Sequence, residues 1–370
     1  MNKKLQAAKV TPALPALRLG FVPLTDCAPL VMAHELGLFS KYGLRVTLHR
    51  ELGWASIRDK IIHGELEAAH ALAAMPVAAA VGLGSIPCDC VTGLVLNLNG
   101  NAITLSSELW QRGVRNGETL RAEIVRGRRE RTLVFGAVSA VSSHRHLLRH
   151  WLAEHGINPA RDVRVVIMPP AQMVANLKSG NLDGFCVGEP WNSVAVQARA
   201  GWCVAVSAEL DPGHPEKVLM VRRDFAEKRE EEHVALVAAL LEACEFCDQP
   251  ENHEQLIKTL ARTEWVDAPP AALRHGINGE LDFGHGISRT ISDFCVFHRN
   301  NANEPSGPKA AWALELLRAS GLCREPAAID AALGRRVFRP DIYDKAVRRR
   351  SARPTKPIHE IELPNQLAFA

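Results

Sequence analysis

Short apolar runs alternate with segments of helical spacing through the first half of this chain, and no other feature restricts its fold as much. Leu17-Arg18-Leu19-Gly20-Phe21-Val22 has strand character and stops at Pro23. Residues 29–38 carry helical spacing, with Gly37 and Gly43 around their end. Residues 44–48 alternate apolar and polar, and 56–63 read as a helix stopped by Gly64. Strand, helix and strand follow over 66–72, 76–81 and 90–96. This repeated alternation predicts a parallel sheet covered on both faces.

A second unit repeats the rhythm. Residues 101–107 predict an extended crossover, and 112–131 are polar and basic. Strands over 132–138, 163–168, 182–187 and 203–207 alternate with helices over 143–154, 171–178 and 190–199. Residues 217–221 then cross back, and from Glu230 the pattern is mostly helical. The reading is an α/β clamshell with a cleft between two lobes. Lobe I takes 15–104 and 217–340, lobe II takes 105–216, and 341–370 form a C-terminal tail. The tail holds Arg348, Arg349, Arg350 and Arg353, followed by Pro354, Pro357 and Pro364. A length of 370 residues agrees with two domains, or at most three.

Composition removes several classes of function. Lys plus Arg number 44 and Asp plus Glu 41, too balanced for a nucleic-acid or membrane coat. Aromatics at 5% argue against a stacking platform for single strands. Polar residues and prolines interrupt the N-terminal stretch (Gln6, Lys9, Thr11, Pro12, Pro15, Arg18), so no secretory signal is expected. No apolar run is long enough to span a bilayer. The nine scattered cysteines read as reduced thiols of a cytoplasmic protein rather than a disulfide framework.

The usual chemical motifs are missing. Cys88-x-Cys90 and Cys244-x-x-Cys247 each lack a second pair, and Cys244 and Cys247 sit in an apolar helical run, where cysteine packs as a small core residue. Asp282, His285, His298 and Glu304 are too widely spaced for a metal motif. No nucleophile elbow, Walker loop or dinucleotide fingerprint is present. Ser142 and Ser143 beside His144 read as a helix N-cap. No cofactor and no enzymatic activity are expected. Several predicted strands do end in polar or Pro/Gly turns that open helices, as at 138–144, 168–172 and 187–191. Ligands of open α/β sheets bind at such strand ends, where helix N-termini favour anions.

Longer words in the sequence resemble a known family. Asp183-Gly184-Phe185-Cys186-Val187-Gly188-Glu189-Pro190-Trp191-Asn192 is similar to the FCVGEPW segment of the nitrate and bicarbonate solute-binding proteins of ABC transporters. Pro169-Pro170-Ala171-Gln172-Met173-Val174-Ala175-Asn176 and His214-Pro215-Glu216-Lys217 resemble two further segments of that family. Met75-Pro76 and Asn99-Gly100-Asn101-Ala102-Ile103 align as well, and the likeness covers roughly 15–300. It implies the two-lobed type II periplasmic-binding-protein fold. Joined to the missing export signal, it resembles the NasS-type cytoplasmic nitrate/nitrite sensors, which hold a NasT-like RNA-binding antiterminator and release it on binding the anion. The alternative is a solute-binding protein of an ABC nitrate/bicarbonate transporter.

The resemblance also implies ligand residues: Trp54, Asn101, His144, Pro170, Gly188 and Lys217. The transporter proteins carry glutamine where this chain has Asn101. The implied chemistry is coherent for nitrate, a flat and weakly basic monoanion. Lys217 supplies a full positive charge, His144 and Asn101 supply donors, Gly188 admits close backbone approach, and Trp54 covers the planar ion. Four heavy atoms limit affinity to about −6 kcal/mol, or tens of micromolar. An anion touching both lobes favours the closed form, so a partner preferring the open form is released by linkage. The basic tail and 112–131 are the candidate partner surfaces. No membrane and no direct nucleic-acid contact are expected.

Overall fold

The computed structural model describes residues 16–127, 131–323 and 325–352. The expectations for the first fifteen residues, for Arg353 and for Pro354, Pro357 and Pro364 lie outside those residues. In chain order the strands are β1 (Leu17–Phe21), β2 (Val46–Arg50), β3 (Ala68–Leu72), β4 (Cys90–Asn99), β5 (Asn101–Ser106), β6 (Leu133–Ala137) and β7 (Val163–Ile167). They continue as β8 (Gly184–Gly188), β9 (Gly201–Val206), β10 (Pro215–Arg222), β11 (Glu280–Gly284), β12 (Ile287–Thr290) and β13 (Cys295–Val296).

Two sheets make the two lobes. The first has the order β13-β4-β10-β3-β1-β2 and the second β7-β6-β8-β5-β9. Both are mixed, whereas the alternation predicted parallel sheets. β1 runs parallel to β2 and β3, but β10 is antiparallel to β3 and β4. In the second sheet β6 is parallel to β7 and β8, and β5 is antiparallel to β8 and β9. The physical reason lies in the connections. Parallel neighbours need a crossover, usually a helix, whereas β5 and β10 enter their sheets directly from the other lobe.

The segment expected to be a crossover at 101–107 is therefore β5, a strand with every residue buried. Its central place in the sheet hides the alternation that a half-exposed strand shows. The chain changes sheets at Gly100, a little before the expected boundary at 104, and returns at Pro215, just before 217. Asn99 and Gly100 both adopt positive φ, 58° and 97°, which turns β4 into β5. Asn99 also ties the two crossings together. Its side-chain oxygen accepts from the Gly213 N–H at 2.9 Å, and its N–H donates to the His214 carbonyl at 3.1 Å.

Packing places the site's tryptophan. A side chain at Gly20 of β1 would meet Leu66 at 2.5 Å and Ile57 at 2.8 Å. Glycine there lets the helix Trp54–Ile62 lie close on the sheet. On the other face, the helix Glu230–Asp248 is buried along most of its length. Cys244 and Cys247 sit inside it, and all nine cysteines, each among the described residues, are free thiols.

Three further expectations need correction. Residues 112–131 contain the helix Gly117–Gly127, and two of their arginines have acidic partners: Arg112 with Glu123 at 3.2 Å, Arg131 with Asp183 at 2.6 Å. The region after Glu230 includes the β11–β12 hairpin and β13, which helical spacing did not reveal. The start of the tail is the helix Pro340–Ser351, with Ile342 and Ala346 buried. Its basic side chains Lys345 and Arg350 pair with Glu230 and Glu245 of the long helix.

Candidate functional site

Lys217 lies fully buried on β10. Its ammonium is 2.7 Å from Asp26 Oδ2 and 2.6 Å from Glu216 Oε1. Neighbouring residues of a regular strand point to opposite faces. Here the β10–β4 register shifts between Pro215 and Lys217 and again between Lys217 and Val218. Such irregularities re-aim side chains beside functional sites, and Glu216 and Lys217 both reach one chamber. Asp26 sits on the turn Thr25–Cys27 after β1, and its other oxygen is 2.9 Å from His70 Nε2 on β3. Trp54, at the start of its helix, completes this half. Its ring centroid is 5.3 Å from the Lys217 ammonium and 5.3 Å from the His70 ring.

The second lobe closes on this group with mostly uncharged chemistry. Asn101, first residue of β5, donates from Nδ2 to Glu216 Oε2 at 2.7 Å. Opposite it in the sheet is Gly188. A Cβ at Gly188 would lie 3.4 Å from both Asn101 Oδ1 and Asp26 Oδ2. Such a Cβ would make ordinary van der Waals contact with both oxygens, at the edge of the chamber. His144 stands in the first turn of the helix Ser143–Glu154, whose N-cap Ser142 accepts from the Arg145 N–H at 3.1 Å. His144 Nε2 is 3.7 Å from Glu216 Oε1, beyond hydrogen-bond reach. The lobes also touch directly. The Thr25 N–H donates to the Glu189 carbonyl at 2.7 Å, and a side chain at Gly53 would meet Pro169 at 3.8 Å.

Burial and charge compete throughout this cluster. Burial pushes the Glu216 carboxyl up, but Lys217, His144 and His214 overcome it and hold it well below the usual carboxylate range. Burial acts on Asp26 in the same way, and Lys217 and His70 hold it low. Burial alone would lower Lys217, yet Asp26 and Glu216 keep it above its ordinary value. The imidazoles go the other way. Burial takes His144 down to about 4, against the pull of Glu216, and also lowers His70. One carboxyl near the site has no cation: burial pushes Glu189 up to about 7.

Five of the six residues named from the sequence therefore gather in one chamber: Trp54, Asn101, His144, Gly188 and Lys217. Pro170 is buried in the turn Pro170–Gln172, and its carbonyl accepts from the Met173 N–H rather than facing the cluster. Lys217 carries the positive charge expected of it, but two carboxylates, Asp26 and Glu216, share that charge. Four participants escaped sequence reading: Asp26, His70, His214 and Glu216. His214 and Glu216 lie in the same four-residue word as Lys217, a signal that could have found them.

Beside Trp54 a cleft of about 370 Å³ runs between the lobes, with Met75, Leu83, Val138 and Ser139 among its walls. Trp54 alone of the six lines it, so the cleft borders the chamber and does not contain the ionic cluster. Among the described residues, no cluster of His, Cys, Asp or Glu is arranged to hold a metal ion. Among the same residues, no helix is long and apolar enough to cross a membrane.

Similarity to known proteins meets this geometry. The NMT1-like family matches residues 11–261. The chain belongs to that family. It is 35% identical over 350 residues to the nitrate/nitrite binding protein NrtA of Synechococcus elongatus, covering 91% of this chain and 78% of the relative. It is 40% identical over 335 residues to the nitrate import ATP-binding protein NrtC of Synechocystis sp.. That alignment takes in 90% of this chain and 50% of NrtC, so the chain spans about half the length of such relatives. Among crystal structures, the periplasmic nitrate-binding protein NrtA from Synechocystis superposes with a TM-score of 0.85 at 29% identity, over 90% of this chain and 88% of that one. This member of the NMT1-like family has the two-lobed periplasmic-binding-protein fold.

Proposed function

We propose that this protein binds a small planar oxyanion, nitrate or nitrite, between its two lobes at Lys217. One observation carries the reading. Trp54 Nε1, His70 Nδ1 and His144 Nε2 are buried ring nitrogens without a hydrogen-bond partner, and their three side chains belong to the chamber around one ammonium. Buried polar groups are normally satisfied, so such a concentration marks a place for a polar ligand. Lys217 has three N–H donors and commits two to Asp26 and Glu216, which leaves one for an anion. The names of the NrtA relatives support nitrate and nitrite as the ions. Calorimetry of nitrate and nitrite against the purified chain tests the reading, with dissociation constants of tens of micromolar or tighter expected. Absence of heat and of thermal stabilisation with both ions would refute it.

The role these relatives support best is that of the solute-binding component of a nitrate or bicarbonate import system. A second reading is a cytoplasmic NasS-type sensor that releases a NasT-like antiterminator. The readings separate on linkage. A sensor loses affinity for its protein partner on nitrate binding, and the partner lowers nitrate affinity by the same factor. Equal nitrate affinity with and without the antiterminator removes the sensor reading.

A further inference from the structure

The charges around Lys217 do not favour an anion as they stand. Asp26 and Glu216 are two buried carboxylates, and Lys217 is the one ammonium between them. His214 adds a single compensating proton. Its Nδ1 is 2.7 Å from the Asp211 carbonyl, which can only accept, so that nitrogen carries a hydrogen. The 3.2 Å contact of Nε2 with Glu216 Oε2 is then a hydrogen bond only with a proton between the two atoms. With that proton the cluster sums to zero. A monoanion enclosed here would leave a net buried negative charge, which low-dielectric surroundings penalise heavily.

We infer that the site takes up its oxyanion together with one proton, which comes to rest on His144 at Nε2, between the anion and Glu216. This rests on the nitrate or nitrite reading above and deepens it. His144 is fully buried, and Nε2 has no hydrogen-bond partner although a Glu216 oxygen lies 3.7 Å away. Nδ1 faces the Ser143 hydroxyl at 3.4 Å. The imidazolium form gives both nitrogens a donor role, the first toward Ser143 and the second toward the anion and Glu216.

Glu189, just after β8, is the strongest rival proton seat, since burial pushes its carboxyl up to about 7, but its Oε2 accepts from the Ser193 N–H at 3.2 Å and, among the described residues, no contact joins it to Lys217 or Glu216. The turn after β1 supplies Asp26, which Lys217 holds ionised. β3 supplies His70, whose Nε2 is committed to Asp26 and whose Nδ1 is the one other unpartnered imidazole nitrogen in the chamber. β10 and the turn before it supply His214, Glu216 and Lys217. β8 supplies Cys186 and β13 supplies Cys295, both thiols that burial keeps protonated. A second negative charge beside His144 acts in the same direction as Glu216 and raises its proton affinity. The sign of the linkage follows. His144 without anion titrates at about 4, and with anion at a higher pH. Between those limits binding strengthens as pH falls, by up to about tenfold per pH unit.

Nitrate titrated calorimetrically into the full chain at about pH 6, in two buffers of unlike ionisation enthalpy, counts the protons. Uptake approaching one proton per anion is expected. Binding with buffer-independent heat at every pH from about 5 to 8 overturns the inference and leaves the nitrate reading standing. Absence of binding overturns both. His144→Gln keeps a side-chain N–H and cannot be protonated, so it should bind without uptake and with a flat pH profile. His150→Gln, a half-exposed position on the same helix outside the chamber, should retain uptake. A His144→Gln protein that still takes up a proton overturns the placement on His144. If that variant does not fold, the proton count on the unmodified chain decides alone.

Discussion

The two lobes bring unlike halves to this chamber. The first sheet and its turns carry the ions, with Asp26, Glu216 and Lys217 in contact within one lobe. The second lobe brings an amide, an imidazole held neutral by burial, and a glycine strand end: Asn101, His144 and Gly188. An ionic network assembled on one sheet can exist whether or not the lobes meet. The second lobe's donors reach it across the boundary between the sheets, as in the 2.7 Å bond from Asn101 to Glu216. Stability should therefore depend mainly on the first half. Ligand affinity should depend on both halves.

Lys217→Ala tests the ionic half and should have the largest effect. It strands two buried carboxylates, which costs about 3–5 kcal/mol of folding stability, and it should weaken nitrate binding at least about tenfold. Denaturant unfolding and calorimetry measure the two losses. Unchanged stability would break the distinction between the halves.

Acid comes next in magnitude. His144 and His233 are buried and titrate at about 4, below the ordinary 6.5 of an unfolded chain. The unfolded state then binds more protons in that window, so stability falls as pH drops from 6.5 toward 4. Each histidine contributes a slope of up to about 1.4 kcal/mol per pH unit. His233 faces Phe225, away from the chamber. Saturating nitrate should therefore offset the share of His144 and leave that of His233. Thermal melts at about pH 5 and 7 with and without nitrate check this, and equal protection at both values contradicts it.

Asn101→Ala probes the neutral half. Loss of a hydrogen bond to a charged group is expected to cost about 1.5–3 kcal/mol, with affinity falling as well because a lobe-to-lobe contact is lost. Gly188→Ala should weaken nitrate binding with little loss of stability, since its Cβ lies 3.4 Å from Asn101 Oδ1 and Asp26 Oδ2 at the point of closure. A stability loss as large as that of Lys217→Ala in either variant would erase the asymmetry. Arg350→Ala supplies the lower bound. The pair with Glu245 is half-buried at the surface, so the change should be under about 1 kcal/mol with unaltered nitrate affinity.

Local pattern carried much of the architecture. The helix Ser143–Glu154 has the predicted bounds because its apolar positions recur at helical spacing behind a serine cap. β6, β7 and β8 fall within a residue or two of their expected places. β5 and β10 hid their direction, since a strand that arrives from another lobe looks in sequence like any other short apolar run. The β11–β12 hairpin hid its type because β12 is exposed throughout and lacks an apolar face.

The chamber divides along the same line. Lys217, His144, Asn101, Gly188 and Trp54 were nameable because shared words in the sequence mark them. Asp26 and His70 were not, because their meaning depends on Lys217, which lies 191 and 147 residues further along the chain. The sequence by itself determined that strands and helices alternate, that two crossings divide the chain, and which short segments hold unusual polar residues. Only the tertiary structure decided that two carboxylates share the lysine's charge. Periodicity reports what a residue does to its own helix or strand, whereas the ionisation of a buried group is set by whichever distant charges the folded chain brings within a few ångströms.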